Sequence, residues 1–264
     1  MRIPPLLIGN LILAKRKALK GIYVKAVNAP GVLAQIASVL GKHNVNILAI
    51  NFSSNSEEKG DLFIVADFSK ISDDLNVIID DIQNLGVVLN AEIVEPHPLG
   101  LLVDLYHFPI VDDIGNRVLI FTIFNMESFA VRLREKFGDG GLAFLFHEGV
   151  LTGLSLVNGY KKWGIKDLKD ALIINLLRVH ALGRYRGELV KYSLTEQGKP
   201  EIVIKAYDMW ECETARKHGI RKPSCHFERG VMTGIIKGYL GKDVVVRETK
   251  CIAVGDPYCE FITE

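Results

Sequence analysis

The sequence predicts an α+β chain: a ferredoxin-like βαββαβ unit, then a mixed α/β unit with an antiparallel sheet and packed helices. Three observations carry this. Between residues 20 and 96 the apolar period alternates between strand and helix in the order β-α-β-β-α-β. Beyond about residue 100, helical stretches with evenly spaced glycines dominate. The C-terminal end reads as a β-hairpin. A chain of 264 residues has room for one large domain or two modest ones.

Taken in order, residues 1–19 form an N-terminal segment. Its apolar stretch is short, contains Pro4, Pro5 and Asn10, and precedes its basic cluster rather than following it. That makes a poor signal peptide and is too short for a span, and no other run approaches about 18 unbroken apolar residues. The expectation is a cytoplasmic protein with no membrane association. GIYVKAV (21–27) has strand composition. APGVLAQIASVLGKH (29–43) puts Val32, Leu33, Ile36, Val39 and Leu40 on one helical stripe, with Pro30 at the first helical position and Gly41 as the stop. NVNILAINFSS (44–54) and DLFIVADFS (61–69) are strands joined by NSEEKG. ISDDLNVIIDDIQNLG (71–86) is a helix capped by Ser72 and closed by Gly86. VVLNAEIVE (87–95) is the last strand. HPLG (97–100) breaks the pattern and is the expected linker between a domain at 20–96 and one at 101–264.

In the second part, Glu127–Phe137, Glu148–Lys162 (interrupted by glycines) and Lys169–Leu182 have helical spacing, and strands follow near 185–194 and 200–207. CHFERGVMTGIIKGYLGK (225–242) is helical, and Gly230, Gly234 and Gly238 recur every four residues on one face, which permits close packing at a propensity cost of about 1 kcal/mol each. DVVVRETKCIAVG (243–255) and YCEFIT (258–263) make the hairpin around Gly255-Asp256-Pro257.

Hydrophobic residues are 48% and charged residues 24%, enough to bury a core, and the net charge of +1 gives no global field for nucleic acid. The short basic runs Lys15-Arg16-Lys17 and Arg221-Lys222 read as solvated faces.

Two stretches point to chemistry. In NAPGVLAQI (28–36) a helix N-terminus presents free amides suited to a carboxylate, although on physics alone an ordinary helix start is the better reading. The second is ETKCIAVGDPYC (248–259), with two of the four cysteines and Glu248 in twelve residues. The hairpin brings Cys251 and Cys259 together, and Cys225 at a helix start supplies a third thiol. A metal site, a disulfide and simple burial of free cysteines all remain open on spacing alone.

Residues 20–96 resemble an ACT domain, the regulatory module that binds amino acids, on the βαββαβ order, Asn28-Ala29-Pro30-Gly31-Val32-Leu33 and Asn44-Val45-Asn46-Ile47. The resemblance implies Asn28, Gly31, Val32, Leu33 and Asn46 as ligand contacts, commonly at an interface between two such domains. Residues 101–264 resemble a vinyl-4-reductase-type domain, on Cys225-His226-Phe227, Gly230, Gly234, Glu248-Thr249-Lys250-Cys251, Gly255-Asp256-Pro257 and Cys259-Glu260-Phe261. In the phenol-responsive sensors of that family zinc is held by Cys, Glu, Cys and Cys at this spacing. This implies Cys225, Glu248, Cys251 and Cys259 as ligands and leaves Cys212, in WECETA, over. The family's apolar ligand pocket is expected near Ile235 and Val246, with Trp210, Trp163 and His180 as further candidates against ordinary core packing.

The resemblances together imply a small-molecule-sensing regulatory protein: an amino-acid-type ligand in the first domain, an apolar or aromatic one in the second, and a structural zinc. A homodimer follows from the sheet edges and the helix-free sheet face of the first domain. Output would pass through a protein partner, because no P-loop or paired DNA-binding helices stand out. Two alternatives stay open. One is an enzyme of tetrapyrrole or cofactor biosynthesis, disfavoured because four protein ligands leave zinc no position for water. The other is a scaffold or tethering subunit like those of TRAPP.

Overall fold

The computed structural model describes residues 4–14, 18–54, 57–112 and 115–264. The basic run at 15–17 lies outside them. The chain divides into two compact units, Met1–Leu119 and Ile120–Glu264.

The first unit is built on the expected βαββαβ order. Strands β2 (Leu19–Val27), β3 (Asn46–Ser53), β4 (Lys59–Asp67) and β5 (Val88–Val94) form an antiparallel sheet in the order β3-β4-β2-β5, with helices α1 (Val32–Lys42) and α2 (Leu75–Gln83). The strand period of two sends Ile22, Val24, Ala26, Leu62, Ile64 and Ala66 into one core with Ile36 and Leu40 of α1 and Ile78 and Ile82 of α2. Each such aliphatic side chain contributes about 1.5–3 kcal/mol by leaving water.

The helix ends differ in detail from expectation. Helix α1 begins at Val32, so Pro30 stands outside it. Gly31 is the cap, at φ 85°, a left-handed conformation that only glycine adopts without strain. Helix α2 is capped by Asp74, whose side chain accepts the Asn76 N–H at 2.8 Å, rather than by Ser72.

The other face of this sheet is covered within the same unit. Strand β1 (Leu11–Leu13) pairs antiparallel with β6 (Leu101–Val103). Their ribbon buries Phe63, Val65 and Leu102, with Ile12, Ala14, Ala49 and Val94 packed around them. Asp104 fastens the end of β6. It accepts the backbone N–H of Tyr106 at 3.0 Å and the Asn51 side-chain amide at 2.8 Å. Tyr106 then stacks on Tyr23, ring centroids 4.0 Å apart. The N-terminal segment at 1–19 therefore supplies one strand of a ribbon that belongs to this unit, the expected linker at 97–100 leads into the other, and the compact boundary falls at Leu119.

The second unit has a four-stranded antiparallel sheet of β7 (Arg186–Leu194), β8 (Pro200–Tyr207), β9 (Val246–Lys250) and β10 (Cys259–Thr263), in the order β7-β8-β10-β9. Its helices are α3 (Ile123–Glu127), α4 (Leu133–Lys162), α5 (Leu168–Ala181), α6 (Trp210–Lys217) and α7 (His226–Leu240), with a π-helical turn at Ser128–Arg132 between α3 and α4.

The glycines of α4 do not interrupt it where expected. The helix breaks at Gly138 (φ 55°, ψ −136°) and runs on through Gly149, Gly153 and Gly159. Gly149 and Gly153 instead face Gly230 and Gly234 of α7. A Cβ at Gly153 would lie 2.2 Å from the Val231 carbonyl oxygen, and one at Gly234 would lie 2.2 Å from that of Val150. The two helices thus meet backbone to backbone. By length and composition alone, Ile123–Lys162 is long and apolar enough to span a bilayer, and 28% of its most apolar window is buried.

Candidate metal centre

Four elements converge at one end of the second sheet. Cys225 caps α7, Cys212 lies in the first turn of α6, Glu248 is on β9, and Cys259 opens β10. Cys251 follows β9 directly, in a turn closed by Asp256. The Cys251 N–H donates to Asp256 Oδ2 at 2.8 Å, and the Cys251 carbonyl accepts from Val254 at 3.0 Å. The Ile252 N–H donates to Cys259 Sγ at 3.4 Å. The loop GDPYC thereby turns Cys251 back onto Cys259, and Glu248 is paired in register with Phe261 one strand away.

One ligand atom from each of Cys212, Cys225, Glu248, Cys251 and Cys259 lies within 4.8 Å of all the others. The four cysteines are buried and unpaired by disulfides. Cys212 Sγ is 2.8 Å from Cys225 Sγ and 3.3 Å from Cys251 Sγ. Glu248 Oε2 accepts the Cys225 N–H at 3.3 Å.

The cluster could hold a cation. Burial pushes the Cys225 thiol well above its ordinary pKa and raises the Glu248 carboxyl to about 8. Contacts from Cys212, Cys225 and Cys259 instead hold the Cys251 thiol far below its usual range. Buried acids packed this closely ionise together only around a positive charge. A donor set of soft thiols with one carboxylate, on a scale set by metal–sulfur bonds of about 2.3 Å, fits a tetrahedral ion such as zinc.

Around the cluster a buried polar frame locks the elements together. Glu211 accepts the N–H groups of Phe227 and Glu228 at 2.9 Å each, closing the start of α7. Glu228 Oε1 accepts the Trp210 indole N–H at 2.7 Å and the Arg184 guanidinium at 2.6 Å. On the outer side lies an open cavity of about 260 Å³, lined by Pro223, His226, Arg229, Val245, Val246, Arg247 and Glu248. His226 stands 3.2 Å from the Arg134 guanidinium. Its burial, with Arg134 and Arg229 nearby, lowers its pKa to about 4, so the ring is neutral.

The four residues expected as ligands are therefore together, and Cys212, left over in the sequence, has joined them. The remaining candidates divide. Val246 lines the cavity, while Ile235 is fully buried in the core. Trp210 is also a core residue, its indole N–H committed to Glu228. Trp163 and His180 are exposed. In the first unit, Asn28 is exposed and donates to Ser54 Oγ at 2.9 Å. Val32 sits in the core, Leu33 is half exposed, and Asn46 is exposed at the start of β3. Cys212 was not legible because α6 has no apolar stripe to mark it; its charged sequence WECETARK gave no helix signal. Glu211 and Glu228 were missed for a related reason: nothing in a sequence distinguishes a buried glutamate from a surface one.

Residues 21–86 match the family model of the ACT domain and residues 204–264 that of the vinyl-4-reductase-type domain. The chain carries one of each. Two uncharacterized proteins of Methanocaldococcus jannaschii are similar in sequence. MJ0150 is 45% identical over 127 residues, covering 48% of this chain and 66% of the relative. MJ1642 is 31% identical over 101 residues, covering 38% of this chain and 55% of the relative. The chain thus spans between half and two thirds of either relative's length. Among solved structures, the phenol-responsive sensory domain of the transcription activator PoxR, determined with phenol, is similar in fold. It superposes with a TM-score of 0.52 at 17% identity, over 56% of this chain and 77% of that one.

Proposed function

We propose that this protein is a small-molecule-responsive regulatory protein, with one ligand module in each unit and a zinc ion in the second. The observation that carries this reading is the buried donor cluster whose carboxylate, Glu248, also lines an open cavity. Cys225, Cys251 and Cys259 supply three thiolates, and a fourth donor comes from Glu248 or Cys212. When bound, the zinc fastens α6, α7 and the β9–β10 hairpin to one another, a structural role. The fold likeness to a sensory domain determined with phenol supports an apolar or aromatic ligand here. Val246 and Val245 offer it apolar surface, and His226 and Arg229 offer it polar groups.

In the first unit, the ligand is an amino acid whose carboxylate meets the turn at Asn28–Leu33, where Asn28 and Leu33 are exposed. The protein is a homodimer or larger assembly, cytoplasmic, and passes its response to a protein partner. Since the β1–β6 ribbon covers the helix-free sheet face, the sheet edges β3 and β5 are the better candidates for self-association.

Native mass spectrometry of gently purified protein tests the reading. One zinc per chain, a dimer mass and retained small molecules are expected. A monomeric, metal-free chain that binds neither amino acids nor phenols in calorimetric titrations refutes it.

A further inference from the structure

Resting on the metal reading above, we infer that Cys212 is the fourth thiolate of the centre, making it a four-cysteine site with Glu248 outside the coordination sphere. Three observations lead there. Cys212 is fully buried, and its sulfur lies within 4.8 Å of those of Cys225, Cys251 and Cys259. Its sulfur lies 2.8 Å and 3.3 Å from the first two, but 3.9 Å from Glu248 Oε1. Cys212 Sγ thus sits closer to two of the thiols than to the carboxylate.

Cys212 is also fixed in place by its neighbours. The residues just before it are both tied to α7: Trp210 donates to Glu228 at 2.7 Å, and Glu211 accepts two amides at the start of α7. The first turn of α6 is thereby pinned against Cys225, the cap of α7. A cysteine buried merely as a small apolar side chain needs no such frame, whereas a ligand preorganised for a metal does.

Glu248 has the opposite character. It is the one donor of the five that is not fully buried, it lines the open cavity, and its Oε2 is already engaged by the Cys225 N–H. Arg229, beside it in the cavity wall, provides a countercharge. A borderline-soft ion offered four buried thiolates and one partly hydrated carboxylate takes the thiolates, the closed set typical of structural zinc. Glu248 then faces the cavity as a free carboxylate, available to a ligand rather than to the metal.

The test uses the full chain loaded with cobalt(II) in place of zinc. The sulfur-to-cobalt charge-transfer absorption in the near ultraviolet grows with the number of thiolate ligands. Wild type should show four-thiolate intensity. Cys212→Ser should lose about a quarter of it, one thiolate in four, while Glu248→Gln should keep both the intensity and the visible ligand-field bands. Loading the wild type with cadmium-113 gives a second measurement that needs no variant, because the resonance position separates four sulfur ligands from three sulfurs and one oxygen. A three-sulfur cadmium signal, or wild-type charge-transfer intensity in Cys212→Ser with altered bands in Glu248→Gln, overturns the inference and leaves the metal reading standing. Failure of the wild type to take up either ion in stoichiometric amount overturns both.

Discussion

Gly234 shows how much a single missing methyl group decides. Its Cα lies in a seam where a Cβ would sit 2.2 Å from the Val150 carbonyl oxygen, a backbone atom that no rotamer change can move. Gly234→Ala gains about 1 kcal/mol of helix propensity, and the forced separation of α4 and α7 outweighs it, as overpacking costs about 1–3 kcal/mol even where side chains can yield. The expected outcome is a lower melting temperature for the second unit. Gly159→Ala is the control, since a Cβ there meets nothing within 4 Å, and its melting temperature should hold or rise. His43 shows the electrostatic counterpart. Its Nδ1 lies 2.6 Å from Asp73 and its Nε2 lies 2.9 Å from Asp81, so the ring donates to both only as an imidazolium. The hydrogen bond to Asp73, then that to Asp81, raises its pKa above the ordinary 6.5. A raised histidine stabilises the fold fully below pH 6.5, and that contribution fades as pH rises through the folded value. Nuclear magnetic resonance titration of His43 should therefore give a midpoint above 6.5. The stability difference between wild type and His43→Gln should shrink toward alkaline pH.

At the scale of elements, the β9–β10 hairpin and the start of α7 were readable from spacing, because cysteines at a turn and at a helix start need few assumptions to meet. Helix α6 was not. Its eight residues carry four charges, and its first turn is buried against α7, which receives Glu211. If metal binding and folding are coupled as proposed, Cys259→Ser loosens the hairpin, α6 and α7 together. A loss on the order of several kcal/mol is expected, since structural zinc sites carry a large share of local folding energy. A strong chelator should reproduce that loss in the second unit. The transition of the first unit, which holds none of the donors, should stay unchanged, and amide exchange read separately in each unit checks both points.

At the scale of the molecule, two ligand modules on one chain raise the question of coupling. If the protein is a sensor, an amino acid at Asn28–Leu33 and an apolar ligand near Val246 alter each other's affinity by the same factor, because linkage is reciprocal. A working switch needs about 1–3 kcal/mol of such coupling. Calorimetric titration of amino acids with and without the second ligand measures it, and equal affinities in both arms mean two modules without a switch. The ribbon that completes the first unit was not legible in the sequence for a physical reason. Strands β1 and β6 have three residues each and lie some 90 positions apart, too short for a period and too distant for a hairpin signal.

The sequence by itself determined the βαββαβ unit, the glycine stripe of α7 and the C-terminal hairpin that brings Cys251 toward Cys259. Each of these is written in local periodicity or in the spacing of rare residues along a single segment. Only the tertiary structure decided that Cys212 joins the cluster, that Trp210 and Ile235 are buried among core residues, and that the open face of the first sheet is covered by its own chain. Those outcomes depend on contacts between segments far apart in sequence, whose relative placement follows from packing that no single segment encodes.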